Sequence, residues 1–540
     1  MTGGRERKQL GCLFAALFLL LLAAKLCHIH ILWAEEGYSS AAAVQILHGK
    51  MLYRDFWFDK PPLAALVYAL WGGGPGFWLR FAGAVYAAGC CMAAYWFAMR
   101  RWSRREGISA ALLMAFYLIF DIPASVITLG PDLLMLLPAI AALDCAGRKS
   151  VFRSGLWCSV ALATNAKALL ILAACFVWAS AGWLPLVAGF VIGTAPWFVW
   201  LAAVHALPEY WRQVWWFGAE YSRHTFVRNP MREAILRTLN WAGFHAAIVL
   251  AAALFFWREQ KWKEYGWVAW LLLACAGVWA GERFFLRYYF ILLPPVLLLG
   301  AAGFVRARRV ERVLLSMLLL IPAIRFAPRY FELADSLFAG RRHPWADTAL
   351  NRDSQRVAEE IDSLSKPGDT LLVWGYRPDV FAYTQLPVAG RFLDSQLYTG
   401  VIADRHLFST QVTFPAFAAR NRAELVRTRP AFIVDGLGKL NPALAITQYS
   451  DLREWLAGYK PVFQTSASTV YMPATARDAG FQSAASRLVS TSRWIPVRRL
   501  AVGHLQSFTA CSHPQIAILP PQSVSAANFL SAEGGTWHRE

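Results

Sequence analysis

The segment 33–63, reading WAEEGYSSAAAVQILHGKMLYRDFWFDKPPL, concentrates acid and base directly behind a long apolar run. Two adjacent carboxylates, Glu35 and Glu36, stand at the exit of that run, and a second cluster, Tyr53, Arg54, Asp55, Asp59 and Lys60, precedes the rigid Pro61-Pro62 pair. Carboxylates and cations gathered in a polar stretch at a bilayer surface have the makings of a catalytic loop: the acids can accept protons and the bases can neutralise a departing anion.

The elements that must position this loop are apolar. Hydrophobic residues make up 57% of the 540-residue chain and charged residues 16%, and the mean hydropathy is +0.38. Such a composition excludes an ordinary soluble globule and indicates a polytopic membrane protein. The run 9–33 is longer than a signal-peptide core and carries no convincing cleavage site, so an uncleaved first span is expected. Cys12 precedes the apolar core, which argues against a lipoprotein site. Further spans are expected near 76–99, 107–120, 123–145, 151–165, 167–180, 183–205, 239–257, 265–281, 284–305 and 313–326, about eleven in all, several shorter than the roughly 20 residues of an untilted span.

Charge orients them. Short loops carrying Arg100, Arg101, Arg104 and Arg105, then Arg148, Lys149 and Arg153, then Arg258, Lys261 and Lys263, then Arg306, Arg308 and Arg309 should be cytoplasmic, together with Arg5, Arg7 and Lys8. Only a two-span reading of 151–180 puts them all on one side. The first loop (34–75), the loop 206–238 and everything after about residue 328 then face outward. The net charge of +19 is accounted for largely by these loops, and nucleic acid is not an expected partner.

Eight of the nine cysteines lie in or beside apolar runs and only Cys511 is clearly outside, so no disulfide framework is expected. Cys90-Cys91 lacks metal-site spacing. His28 and His30 are two apart on a helix and do not share a face, while His205 and His224 flank the aromatic stretch VWWFGAEYSRHTF. A metal site built on them needs a third ligand, and aromatic packing at the membrane surface is the plainer expectation. No metal site is therefore predicted.

Past the spans, 352–365 has helical spacing, KPGD (366–369) breaks it, and TLLVWG and AFIVDG read as strands separated by the helix-like NRAELVRTRP; PVFQTSASTVYM reads as a closing hairpin with its turn near 466–468. This alternation predicts an α/β domain over 341–472 behind a transmembrane domain over 1–330. The tail 473–540 shows no sustained periodicity, although RWIPVRRLAV within it is compatible with one more strand or surface helix.

The ordered motifs resemble those of GT-C glycosyltransferases of the protein O-mannosyltransferase and lipid A aminoarabinose transferase type. An acidic pair opens the first outer loop and DKPP closes it; ITLGPDLLML with Asp132, ALATNAKALL with Lys167, GTAPWFVW with Pro196 and Trp197, and RFFLRYYFILLPPVLLLG with Arg287, Tyr288, Pro294 and Pro295 follow in order, over roughly 10–472. Glu35 stands where the family usually has Asp, one methylene shorter.

The resemblance implies an α-helical polytopic membrane protein of GT-C type, with about eleven transmembrane helices and a C-terminal extracytoplasmic α/β domain, in the plasma (inner) membrane. It implies transfer of a sugar from a polyprenyl-phosphate donor to a glycan, lipid or protein acceptor at the outer surface, among membrane lipids. Glu35 is then the general base, with Glu36 a second candidate, and Asp59 orients the acceptor. Lys60, Arg80 and Arg287 pair with the phosphate, and Tyr53 and Tyr288 complete the substrate-binding set. Asp132 and Lys167 are equally compatible with a structural pair and a substrate contact. No cofactor is required on this reading, with a divalent cation left open. Two alternatives are a polyprenyl-lipid transporter or flippase, which would place its charges near the membrane midplane, and an inactive scaffold of the same fold.

Reporter fusions test the charge argument. Fusions after Arg104, Lys149, Lys261 and Arg308 should report cytoplasm, and those at Lys50, Arg228 and Gly368 the outer side. An inward Gly368 would separate the C-terminal α/β part from the acidic loop.

Overall fold

The computed structural model describes residues 2–179, 182–225, 227–341 and 345–474. The expectations for the tail, and Cys511 with them, lie outside the described residues apart from 473 and 474.

Each of the eleven apolar runs falls on helix. Among the described residues, three helices are long and apolar enough to cross a membrane alone: Glu6–Leu26 within α1 (Thr2–Leu26), Phe77–Arg101 and Trp183–Ala203. Pro230–Phe244 and Ala246–Arg258, bent by 96°, make a fourth if counted as one span, and Val151–Thr164, Ala168–Ala179, Tyr265–Trp279 and Leu293–Arg306 are shorter apolar helices. Length and composition thus give three or four full crossings, because proline, glycine and polar breaks divide the remaining runs. The run 151–180 is two helices, separated where Asn165 leaves the helical region at φ −153 and ψ 131. Small residues let the backbones touch: a Cβ on Gly155 would lie 2.1 Å from the Leu186 carbonyl oxygen, and one on Gly189 would lie 2.0 Å from that of Phe152.

The polar segment after the first span is itself partly helical, since α2 spans Ala34–Leu47 and is buried from Glu36 to Gln45. Its run of alanines and serines lacks an apolar stripe, which is why periodicity misses it, but it lets α2 lie flush against neighbours. Gly37 shows how close they come, as a Cβ there would meet the Asp379 backbone nitrogen at 3.0 Å.

What fixes α2 is a break in the expected span 123–145. Gly130 and Pro131 interrupt the helix between Pro123–Val126 and Pro131–Leu134, and the freed backbone groups need partners in an apolar interior. Lys25 Nζ donates to the carbonyls of Val126 (2.9 Å) and Ile127 (3.0 Å), the Tyr68 hydroxyl donates to that of Leu129 (3.0 Å), and the Leu129 N–H donates to Glu36 Oε1 (3.2 Å). Arg80 closes the network: Nη1 and Nη2 reach the two Glu36 oxygens at 3.0 and 2.9 Å, Nε donates to the His28 carbonyl at 3.1 Å, and Nη2 also donates to the Ile31 carbonyl. Glu36 and Arg80 side chains are 0% and 1% exposed. This bidentate pair ties the N-terminus of α2 to the membrane helix Phe77–Arg101.

Against one end of the helices sits a four-stranded sheet in the order β1-β2-β4-β3. β1 (Leu371–Trp374) and β2 (Phe432–Asp435) run parallel, and β4 (Thr469–Pro473) pairs antiparallel with both β2 and β3 (Tyr459–Gln464). β1 and β2 are buried along their whole lengths, as expected of parallel strands covered on both faces by helices such as Ala349–Leu364 and Pro415–Leu425. Gln45 joins this unit to α2, accepting the Val388 N–H at 2.7 Å.

The Glu36–Arg80 network makes a stability prediction. Glu36→Gln leaves a buried guanidinium without its charge partner and should cost about 3–5 kcal/mol. A wild-type midpoint in thermal unfolding of purified Glu36→Gln would contradict a structural role for the pair.

Candidate active site

Glu35 and Glu36 lie in the first turn of α2, where the helix dipole favours acids. Consecutive helical side chains diverge by about 100°, so if Glu36 points at Arg80, Glu35 must point elsewhere. It points into a cavity of about 180 Å³ between the helix ends and the α/β unit. Glu35, Asp59, Lys60, Arg287 and Tyr288 all line this cavity, bringing together five of the side chains that the sequence suggested.

Arg287 Nη2 donates to Glu35 Oε1 at 2.6 Å, while its Nε lies 4.0 Å from Asp132 Oδ2. Asp132 Oδ1 accepts from Lys167 Nζ (3.2 Å) and Asn165 Nδ2 (3.0 Å). The Lys167 ammonium lies 3.3 Å from the centroid of the Tyr288 ring, and the Arg287 guanidinium lies 4.6 Å from that of Phe285. Acid and base thus alternate from Glu35 through Arg287 and Asp132 to Lys167. The helix break at Asn165–Lys167 and the 3-10 turn Leu286–Ile291 are what present the two cations here.

Lys60 approaches from another element, its Nζ 3.6 Å from Asp59 Oδ1. Pro62 directs it by starting the helix Leu63–Ala69 immediately after. Gln213 pins the loop by accepting the Phe58 N–H (2.9 Å) and donating to the Tyr53 carbonyl (2.8 Å). Tyr53 adopts a left-handed φ of 68°, is fully buried, and donates its hydroxyl to the Lys60 carbonyl at 2.8 Å.

Three sequence-suggested residues therefore occupy other positions. Glu36 and Arg80 are turned toward each other and away from the cavity, with all but about 1% of their surface buried; a guanidinium so enclosed has no face to offer a lipid phosphate. Tyr53 lies beneath the loop, where its hydroxyl is already used. The histidine expectation was of packing, and His224 accordingly lies against Phe414 with ring centroids 5.7 Å apart.

The electrostatics follow from burial and neighbours. Burial pushes the Glu35 carboxyl up, but Arg287, then Lys60 and Lys167, outweigh it and hold the group below the usual glutamate range. Burial lifts Asp59 above its ordinary value despite the opposing pull of Lys60. Burial works against the Lys60 charge, yet Asp59 and Glu35 keep the ammonium more firmly protonated than usual. Glu35 is ionised and weakly basic at rest, and Lys60 is a fixed cation.

Sequence reasoning did not single out the far wall. Tyr376, Arg377, Gln396, Asp404 and His406 reach the cavity from the α/β unit. The one available signal was Tyr376, two residues past a predicted parallel strand; the others arrive by long-range packing. Asp404 is bound to Arg283 at 2.6 Å, with side chains 4% and 1% exposed, and the Arg283 guanidinium lies 3.7 Å from the centroid of Tyr221. This pair fastens the far wall to the outer loop. Among the described residues no group of three or more His, Cys, Asp or Glu is arranged to hold a metal ion.

No protein-family model matches the chain, and no curated protein matches its sequence. Solved structures do. ArnT from Cupriavidus metallidurans bound to undecaprenyl phosphate superposes with a TM-score of 0.55 at 15% identity, over 87% of this chain and 98% of that one. The apo state of the same protein gives 0.54 at 14% identity, over 86% and 98%. The apo Archaeoglobus fulgidus oligosaccharyltransferase overlaps more loosely, with a TM-score of 0.46 at 13% identity, over 86% and 74%. The chain therefore has the fold of ArnT from Cupriavidus metallidurans.

Proposed function

We propose that this chain is a membrane glycosyltransferase, moving a sugar from a polyprenyl-phosphate carrier to an acceptor hydroxyl of a glycan, lipid or protein on the extracytoplasmic face. On this reading the shorter apolar helices also lie in the plasma membrane, giving about eleven crossings, residues 1–330 form the transmembrane domain, and 341–472 form a domain outside. The observation that carries the proposal is a reactive carboxylate and two cations from separate elements, Glu35, Lys60 and Arg287, in one cavity. The fold is shared with an ArnT structure bound to undecaprenyl phosphate, which makes a lipid phosphate the natural anion for those cations.

The chemistry then runs as follows. The acceptor oxygen attacks the anomeric carbon and its proton passes to Glu35. The bond from that carbon to the phosphate oxygen breaks, and the electron pair leaves with the phosphate, where Arg287 and Lys60 meet the growing charge. Glu35 is a poor base while Arg287 grips it. A donor phosphate that takes over Arg287 releases the carboxylate and raises its basicity, so the base is armed only when the donor is bound. Asp59 orients the acceptor, and Tyr288, beneath Lys167, shapes the site. A transporter would need mobile charges near the midplane, whereas Lys25, Glu36 and Arg80 are buried and hydrogen-bonded to fixed backbone groups.

Glu35→Gln should lower turnover by about 100- to 10,000-fold while undecaprenyl phosphate still binds; turnover at the wild-type rate would refute the assignment and move the test to Asp59. The pH dependence has a definite sign. The acid limb of kcat/KM, which reports the free enzyme, should lie below the ordinary glutamate value of 4.5, and the limb of kcat, measured with donor bound, should lie higher. Arg287→Gln should move the kcat/KM limb upward, because burial then acts on Glu35 with less opposition; an unmoved limb would dissociate Glu35 from the rate.

Lys60→Ala should weaken donor binding and turnover together, with Lys60→Arg recovering only part, since a planar fork replaces a point charge. Turnover should persist in EDTA if these cations suffice. Full inactivation by chelation, reversed by a divalent ion, would show that they do not.

A further inference from the structure

The cavity has two unlike walls. Lys60 and Arg287 gather on the membrane side, whereas the far wall is aromatic and polar, with Tyr376, Gln396 and His406, and its charged groups Arg377 and Asp404 are paired with Asp353 and Arg283. That wall stands at the carboxyl ends of β1 and β2, the two parallel strands: β1 ends at Trp374 and delivers Tyr376, while β2 ends at Asp435 and delivers Gly436 and Leu437. The carboxyl edge of parallel strands is where α/β sheets characteristically bind ligands.

Several polar groups there are built in place, and one is left without a partner. Tyr376 follows Gly375, whose φ of 117° turns the chain; Arg377 behind it is anchored to Ser354 Oγ and to Asp353 Oδ2 at 3.1 Å. The Tyr376 ring packs 6.1 Å from that of Tyr38. Asp394 accepts the Gln396 N–H at 2.8 Å, and the two side chains are 4% and 5% exposed. The buried His406, 1% exposed, uses Nε2 on Thr399 Oγ1 at 3.1 Å and leaves Nδ1 with no hydrogen bond. Burial and polarity left open in this way are costly unless a ligand completes them.

We infer that this wall is the glycosyl subsite: Tyr376, Gln396 and His406 bind the hydroxyls of an uncharged sugar whose phosphate lies on Lys60 and Arg287. This rests on the proposed function and deepens it, because it makes the α/β unit part of the active site. A sugar hydroxyl hydrogen-bonds to His406 Nδ1 and another accepts from the Tyr376 phenol, and the ring lies along the Tyr376 face. Burial lifts Asp394 to about 7, with Asp59 adding to the effect, so the wall already resists negative charge. A carboxylated sugar would bring a further carboxylate to a cavity already lined by Glu35 and Asp59 and is disfavoured.

Binding of defined lipids to the purified full chain separates this inference from its parent. The probes are undecaprenyl phosphate, its glucosyl, mannosyl and arabinosyl phosphodiesters, and the glucuronyl phosphodiester. Wild-type protein should bind at least one uncharged glycosyl lipid about tenfold more tightly than undecaprenyl phosphate, the worth of one or two hydrogen bonds, and should gain nothing from glucuronyl. Tyr376→Phe combined with Gln396→Ala should abolish that gain and leave undecaprenyl phosphate affinity unchanged. Equal binding of all five lipids by the wild type, or a parallel loss of every lipid in the variant, would overturn the subsite. Absence of undecaprenyl phosphate binding by the wild type would instead overturn the proposed function.

Discussion

One buried ion pair sets the geometry on which everything else rests. Glu36 and Arg80 are enclosed between α2 and the helix Phe77–Arg101, where the desolvation of two charges is expensive and mutual attraction alone repays it poorly. The deficit is met by making both ends work for the backbone. Glu36 accepts the Leu129 N–H released by a broken helix, and Arg80 donates to the carbonyls at the end of the first span, of His28 and Ile31. Three segments distant in sequence are thereby held in register, and the first turn of α2 is aimed. Glu35 acquires its direction from its neighbour's immobility.

The cavity uses charge in the opposite manner. Its groups are close enough to influence one another and open enough to exchange partners. Arg287 restrains Glu35, Asp132 competes for Arg287, and Lys167 holds Asp132. An alternating chain of this kind is nearly neutral at rest and has two cations ready for an incoming phosphodiester, whose phosphate gains a second charge as the sugar leaves. In the proposed reaction the donor's own phosphate redistributes the pairing, so that a weak base in the empty site becomes a competent one when occupied. Water-exposed pairs would give little such leverage, and enclosure between helix ends and sheet supplies it.

Much of this could be read from residue types and order. The apolar runs fall on helices, and Glu35, Asp59, Lys60, Arg287 and Tyr288 meet in one cavity although Glu35 and Arg287 are separated by 252 positions. What residue types did not reveal has physical causes. Glu35 and Glu36 are indistinguishable by type, and only a helix, which the small-residue segment gives no periodicity to reveal, turns them about 100° apart. Arg80 was suspected because charge inside a span usually serves function, but its partner satisfies it structurally. Tyr53 lies in the same cluster as Lys60 yet supports the loop from below at a left-handed backbone position. Breaks such as Gly130-Pro131 divide apolar runs without altering their hydropathy, so several of the expected spans are short or interrupted helices. The far wall, Tyr376, Gln396 and His406, is assembled by sheet packing that no local pattern encodes.

The division of the acidic pair into an anchor and a base is most directly tested by a structure of the full chain with undecaprenyl phosphate bound. The proposed mechanism places phosphate oxygens within hydrogen-bond distance of Arg287 and Lys60, with Arg287 withdrawn from Glu35 and the Glu36–Arg80 pair unchanged. A phosphate bound away from both cations, or bound with the Arg287–Glu35 contact intact, would contradict it.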